Sequence, residues 1–459
     1  MKKTVPQKIE QVRPASMRSP VHVIYGGADR YAANTAQKLG LIALETMKTH
    51  AANFAGFAQA VHLPGYETLP HSSEAVVKLE KQIARSQTKA RNEDHNSWFA
   101  LAVYRKVIAK LEAEPVEDFR IDFEDGYGFR TDEEEDGDAV RAAIELASAF
   151  QNGSITPFCG FRIKSLNKET RARALRTLDL FLNSLLDKTE NVLPANFVVT
   201  LPKITDKKQI VELCERLKKI EKKRKLPLNS IGVELMIESP LALFDRKGNS
   251  PLKSCVESAK GRCTSAHFGA FDYTSALGIT ASDQNLNHPA CDFARQVMLA
   301  NLAPLGVRLS DSVTTVLPIP IHRKGRLNKS QLEENRRSIH NGWREHFQNV
   351  TGSMRNGFFQ SWDLHPNQLP ARYAAVYAYF IANRDAMAER LNQFIARSTQ
   401  AVLTGNTFDD AASAEGVLNF FKRGLDCGAF EAKEIKALLP ISAEQLQTLS
   451  FSDLAATIN

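Results

Sequence analysis

Apolar and polar side chains alternate along eight short runs of this chain: VHVIYGG, FRIDFED, CGFRIKSL, FVVTLPK, IGVELMIES, SAHFGAFD, LGVRLSD and FFQSWDLHP. In FRIDFED, Phe119, Ile121 and Phe123 share one face; in IGVELMIES, Ile231, Val233, Leu235 and Ile237 do. A period of two is the mark of a β-strand with one face buried. Between most of the runs the apolar positions recur at helical spacing instead, as in KETRARALRTLDLFLNSLL and PACDFARQVMLANLA. Eight strand-to-helix alternations predict a (β/α)₈ TIM barrel rather than an open doubly wound sheet. No GxGxxG or GxxxxGK turn follows any strand, which removes the usual dinucleotide and triphosphate readings.

Two stretches exceed what a barrel needs. Roughly ninety residues separate the first two strands, and a polar helical pattern fills much of them, so a helical insertion is expected at about 50–115 within a barrel domain of 21–380. Residues 1–20 form an N-terminal extension, and 381–459 read as a helical C-terminal extension too apolar to be a disordered tail.

Composition narrows the class. The chain has 459 residues, 43% hydrophobic and 24% charged, as in ordinary globular proteins. It lacks an apolar run of eighteen residues and a secretory apolar core at its start, so neither a membrane nor export is expected and the cytoplasm is the default location. The net charge of +7 raises nucleic acid as a partner. The strongest basic run, KKIEKKRK at 218–225, carries no interleaved aromatics and is expected in a helix-to-strand loop away from the active rim, which argues against that partner. TDEEED at 131–136 is expected as a hydrated loop on the rim side. Six scattered cysteines without a CxxC pair read as reduced core thiols.

The candidate chemistry sits where strands end. Glu238 follows Ile237 just before Ser239 and Pro240 stop the strand, and Asp272 is expected to close the sixth strand in the same way. The carboxyl ends of barrel strands are where such enzymes build their sites. Two hard oxygen donors there suit Mg²⁺ or Mn²⁺, with water and substrate completing the shell. Each acid has a plainer alternative as a helix cap. Arg162, at the end of the third strand, has a plainer alternative too, as an internal ion-pair partner of Glu234. His365 is expected to brace a turn and His267 to be a satisfied core histidine.

The order DFEDG, FRIK, LPK, ELMIES, FGAFDYTSALG and LHPNQ resembles the HpcH/HpaI aldolase, citrate lyase beta subunit and malyl-CoA lyase family, as a divergent member, from about 21 to 380 without the insertion. That resemblance implies a Mg²⁺-dependent carbon–carbon lyase acting through an enolate of a small oxo- or hydroxy-acid, or of its CoA thioester. It implies Glu238 and Asp272 as metal ligands and Arg162 as the grip on the substrate's carboxylate and oxo group. Glu124 and Asp125 then fall on the acidic pair after strand two, as candidate acid–base residues, and Asp409 in FDDAAS resembles an aspartate offered to a neighbouring protomer. Arg30 matches the basic residue of the first-strand turn and is expected to bind substrate, and a homo-oligomer, trimer or hexamer, is implied. The sequence departs from the pattern at Ser361, where the family has a lysine, and in YGGADRY, so the thioester site is less well matched than the metal site. A malate-synthase-like condensing enzyme and a non-catalytic binding or regulatory barrel are the alternative readings.

Overall fold

A computed structural model describes residues 18–396, 402–404, 407–409, 411–448 and 453. All eight predicted strands form: β1 His22–Gly27, β2 Asp118–Asp122, β3 Phe158–Arg162, β4 Phe197–Leu201, β5 Gly232–Ile237, β6 Cys263–Phe268, β7 Arg308–Val313 and β8 Gln360–Asp363. They pair in parallel, each with its chain neighbour, and β8 returns to β1 to close the barrel. These strands therefore form a (β/α)₈ barrel, a closed sheet that leaves none of the eight as an edge.

Alternation assigns the two faces of each strand. Phe119, Ile121 and Phe123 lie outside the barrel with Phe161 of β3, where Phe161 stacks at 4.1 Å on Phe181 of the helix Arg171–Lys188. Asp118, Arg120 and Asp122 of β2 take the other parity and point into the barrel. Its interior is accordingly polar. Arg120 spans from Asp118 to Glu234, donating to Glu234 at 3.0 and 2.8 Å, and Glu234 also accepts from Thr200 and Ser265. Ions this deep are tolerated when they are paired and hydrogen-bonded, as Arg120 and Glu234 are. Arg120, and not Arg162, is thus the inner partner of Glu234. His267 lies in the core as expected but is only half satisfied: Nδ1 meets the Tyr25 hydroxyl at 2.9 Å, whereas Nε2 lies 2.8 Å from Glu234, out of line for a hydrogen bond.

Two expected loops are helix ends. TDEEED opens the helix Asp132–Gln151, with Thr131 as N-cap in a reciprocal capping box with Glu134. The four acids of its first turn face the positive end of the helix dipole. KKIEKKRK forms the last turns of the helix Lys207–Arg224, where cations suit the negative end, and Lys225 caps it in a left-handed conformation. Thr131→Ala is expected to cost about 1 kcal/mol, read as a lower urea midpoint at unchanged slope.

Between β1 and β2 lie the helices Thr35–His50, Phe54–Val61, Ser73–Arg85, Gln87–Glu93 and His95–Ala113. The chain divides into two compact units, Pro20–Tyr379 and Phe380–Asn459 with Met1–Ser19. The smaller unit holds an antiparallel hairpin, Val402–Thr404 with Thr407–Asp409, and the helices Ala411–Asp426, Ala432–Leu438 and Ala443–Thr448. Phe380, Phe420, Phe421 and Phe430 pack together there. Among the described residues no helix is long and apolar enough to cross a membrane.

Candidate functional site

The carboxyl ends of β2, β3, β4, β5 and β6 bring one group of charges together. Parity sends Asp122 inward as the last residue of β2, and the register sets it opposite Arg162 of β3. The Arg162 fork closes on it, Nε to Oδ1 and Nη2 to Oδ2, both at 2.6 Å. Asp122 also accepts the backbone N–H groups of Glu124 at 3.0 Å and Gly126 at 2.7 Å, which ties down the loop that follows β2. The Tyr25 ring lies 4.9 Å from the Arg162 guanidinium and 4.4 Å from Trp362. Arg162 is only 3% exposed, so its geometry is held on several sides.

Glu124 and Asp125 lie in that loop beyond the end of β2. Glu124 reaches Arg162 Nη1 at 3.1 Å with one oxygen and Lys203 Nζ at 2.6 Å with the other. Asp125 lies 3.0 Å from Lys203 Nζ and 3.8 Å from Arg162. Burial pushes the Glu124 carboxyl up, with Arg162 opposing. Burial works against the Lys203 charge, but Glu124 and Asp125 outweigh it and hold the ammonium above its ordinary range.

Lys203 follows β4 and Pro202 and has φ = 51°, a left-handed conformation that costs a non-glycine residue free energy and is found where other contacts impose it. The conformation turns its backbone N–H onto Glu238. That is the only hydrogen bond Glu238 accepts among the described residues, although it is 4% exposed. Burial first, and then the charge of Asp272, push the Glu238 carboxyl up to about 8, with Arg162 pulling the other way. The helix-cap alternative for Glu238 fails, since Ser239 is the N-cap and accepts from Leu241 N–H. A β-carbon on Gly269 would come within 2.5 Å of Glu238 Cβ, so glycine there makes the seat for this side chain.

Asp272 does not close β6, which ends at Phe268; it sits in the first turn of the helix Ala270–Ala276. It caps nothing, and it carries no hydrogen bond or ion pair among the described residues. Two carboxylates without an ion-pair partner among the described residues, one buried and one open to the rim, could hold a divalent ion from one side. No set of three or more His, Cys, Asp or Glu among the described residues is arranged to enclose an ion. Water and substrate would therefore complete the shell.

Arg30 is exposed at the end of β1, paired at 3.7 Å with Asp29, and makes no contact with this group among the described residues. Asp409 lies in the hairpin of the smaller unit, and its side chain is outside the described residues. His365 braces its turn as expected, accepting from Asn367 N–H. Sequence reasoning missed Asp122 and Tyr25 as parts of the group and gave Lys203, expected at the rim, no role. The parity that put Phe119 and Phe123 outside would have turned Asp122 in, and Lys203 was marked only by its place after Pro202. Nothing local pointed to Tyr25 as the face beneath Arg162.

A family model described as "Domain of unknown function (DUF6986)" matches residues 4–454. No curated protein matches. Among solved structures, a citrate lyase from Burkholderia xenovorans LB400 is 18% identical with a TM-score of 0.49, covering 71% of this chain and 91% of its own. A Haloferax volcanii malate synthase in a lead(II) complex is 13% identical with a TM-score of 0.42, covering 75% and 91%. The same enzyme in a magnesium and glyoxylate complex is 14% identical with a TM-score of 0.43, covering 75% and 79%. All three scores lie below 0.5, so these likenesses are recorded as similarities, and the barrel assignment rests on its own strand order.

Proposed function

The chain belongs to the DUF6986 family, described only as a domain of unknown function, and from its site we propose a divalent-metal-dependent carbon–carbon lyase or condensing enzyme working through the enolate of a small oxo- or hydroxy-acid. The observation that carries this reading is the neighbourhood of Glu238 and Asp272, neither of them in an ion pair among the described residues, with the fixed Arg162 and Lys203 cations beside them. Glu238 and Asp272 would hold Mg²⁺ or Mn²⁺. The bound ion would supply Lewis acidity to an oxo group and to the charge that develops there.

The chain's own residues do the rest. Arg162 is held by Asp122 and Tyr25 so that its charge faces the rim without reorganising as negative charge grows, the property that makes preorganised electrostatics effective. Lys203 adds a second, half-exposed cation. Glu124 and Asp125 lie at these cations and are the candidates to move a proton at the carbon next to the oxo group. Cleavage and condensation share the enolate, so the same group serves either direction. Lys203 in a left-handed conformation beside a buried, poorly compensated Glu238 is an arrangement that costs stability, which favours the enzyme over an idle binding barrel.

The test is a Mn²⁺-supplemented screen of 2-oxo and 3-hydroxy acids, free and as CoA thioesters, read by exchange of the α-hydrogen in deuterated water. Metal-dependent exchange in at least one acid is expected. Metal binding with no exchange in any of them would overturn the lyase reading.

A further inference from the structure

The two cations at the rim already meet more negative charge than they need. Arg162 is neutralised by the two-point contact with Asp122, yet Glu124 occupies its remaining nitrogen. The Glu124 carboxylate bridges, with Oε2 on Arg162 Nη1 at 3.1 Å and Oε1 on Lys203 Nζ at 2.6 Å. Asp125 adds a third carboxylate against Lys203. A carboxylate shared between a guanidinium and an ammonium is the geometry these groups would offer to an acidic ligand.

We infer that Glu124 is an internal stand-in for the substrate's carboxylate, seated between Arg162 and Lys203 and displaced when an acid binds. The inference rests on the acidic-substrate reading above and deepens it by naming the anion seat and its occupant. A fourth carboxylate that takes the place between Arg162 and Lys203 must displace one already there, because the nitrogens that would receive it are occupied and like charges at one seat repel. Glu124 is the one to leave. Asp122 is locked at both oxygens by Arg162 and holds the loop through the Glu124 and Gly126 N–H groups. The backbone therefore stays while the longer Glu124 side chain rotates about its own torsions. Occupation by Glu124 lowers the affinity for every acid by the fraction of time the seat is taken. It selects ligands able to replace both of its contacts at once, and it frees a carboxylate beside the substrate only when an acid is bound.

Calorimetric titration of oxalate at saturating Mg²⁺ tests this on the full chain, with wild type, Glu124→Gln, Glu124→Ala and Lys203→Met. Both Glu124 variants are expected to bind oxalate about tenfold more tightly than wild type, because the competitor is gone. Lys203→Met is expected to bind it about tenfold more weakly with Mg²⁺ affinity unchanged, and Lys203→Arg to restore most of the loss. Thermal melts without ligand identify any variant that fails to fold. Unchanged or weaker oxalate binding in both folded Glu124 variants would overturn the stand-in while leaving the proposed function intact. Oxalate bound by none of the proteins, wild type included, although Mg²⁺ binds, would instead overturn the acidic-substrate reading itself.

Discussion

Replacing Glu238 by Gln, or Asp272 by Asn, is expected to weaken Mn²⁺ binding by at least about 100-fold, since loss of an outer-shell partner alone costs roughly 10–100-fold. The two carboxyls are close enough for the charge of Asp272 to raise Glu238, and neither is in an ion pair among the described residues. Wild type at a metal concentration of about 100 times its dissociation constant should gain about 2.7 kcal/mol of stability by linkage, and the variants should gain almost none. Metal-free Glu238→Gln should be no less stable than wild type, because burial and Asp272 push the carboxyl up to about 8, so the amide replaces a mostly neutral acid and can still accept from Lys203 N–H. That combination of a sound fold with lost binding separates a ligand from a structural residue. Gly269→Ala should weaken binding as well without removing any charge, as its β-carbon would meet Glu238 Cβ at 2.5 Å. Equal Mn²⁺ affinity in wild type and Glu238→Gln, measured by calorimetry, would remove Glu238 from the site and the metal reading with it.

The second large effect concerns Asp363, at the end of β8 on the outer face of the barrel. It accepts from His22 Nδ1 at 2.6 Å, His346 Nε2 at 2.7 Å and Arg372 Nη2 at 2.8 Å, all buried. The second nitrogens of the histidines are used too: His22 Nε2 accepts from Glu117 N–H at 2.9 Å, and His346 Nδ1 from the Thr314 hydroxyl at 2.9 Å. One carboxylate thus joins β1, β8, the helix Lys329–Arg355, which carries His346, and the segment after β7. Asp363→Ala strands the Arg372 charge in the interior and is expected to cost about 3–5 kcal/mol, seen as a lower denaturant midpoint.

The same network sets an acid limit. Burial alone would raise the Asp363 carboxyl, but Arg372 and the two imidazole donors outweigh it and hold it well below the ordinary carboxylate range. Its contribution is present above an ordinary carboxylate value of about 3.9 and lost only as pH falls through the much lower folded value. His346 acts earlier, because burial lowers its pKa and keeps it neutral when folded. The unfolded chain binds that proton below about pH 6.5, so the stabilising contribution declines as pH falls from there, by up to about 1.4 kcal/mol per unit. Stability measured between pH 7.5 and 5 should fall more steeply in wild type than in His346→Gln. Parallel curves would show that His346 does not carry the acid dependence.

How the fold could be read in advance is clearest in β2. Alternation in FRIDFED is a local property of a pleated strand, so the sequence placed the strand and its apolar face without help from the rest of the chain. The same rule separated Glu234 and Glu238 from Val233, Leu235 and Ile237. It did not place Asp272, because the Phe268-Gly269 junction ends the strand and begins a helix, and an acid serves equally at a strand end or in a first helical turn. TDEEED and KKIEKKRK were misplaced for a similar reason: hydrated charge reads as loop until the cap and the dipole that use it are known.

By itself the sequence determined the eight strands, their parity and the position of acids and a basic residue at the strand ends, all consequences of spacing along one chain. Which charges meet was decided only by closure of the barrel. Closure set Arg120 rather than Arg162 on Glu234, Asp122 in the fork of Arg162, the Tyr25 ring beneath that fork, and Glu124 across to Lys203, which lies 79 positions further along the chain. Pairings at such separations depend on the register and curvature of neighbouring strands, and no local pattern of hydrophobic and polar residues encodes them.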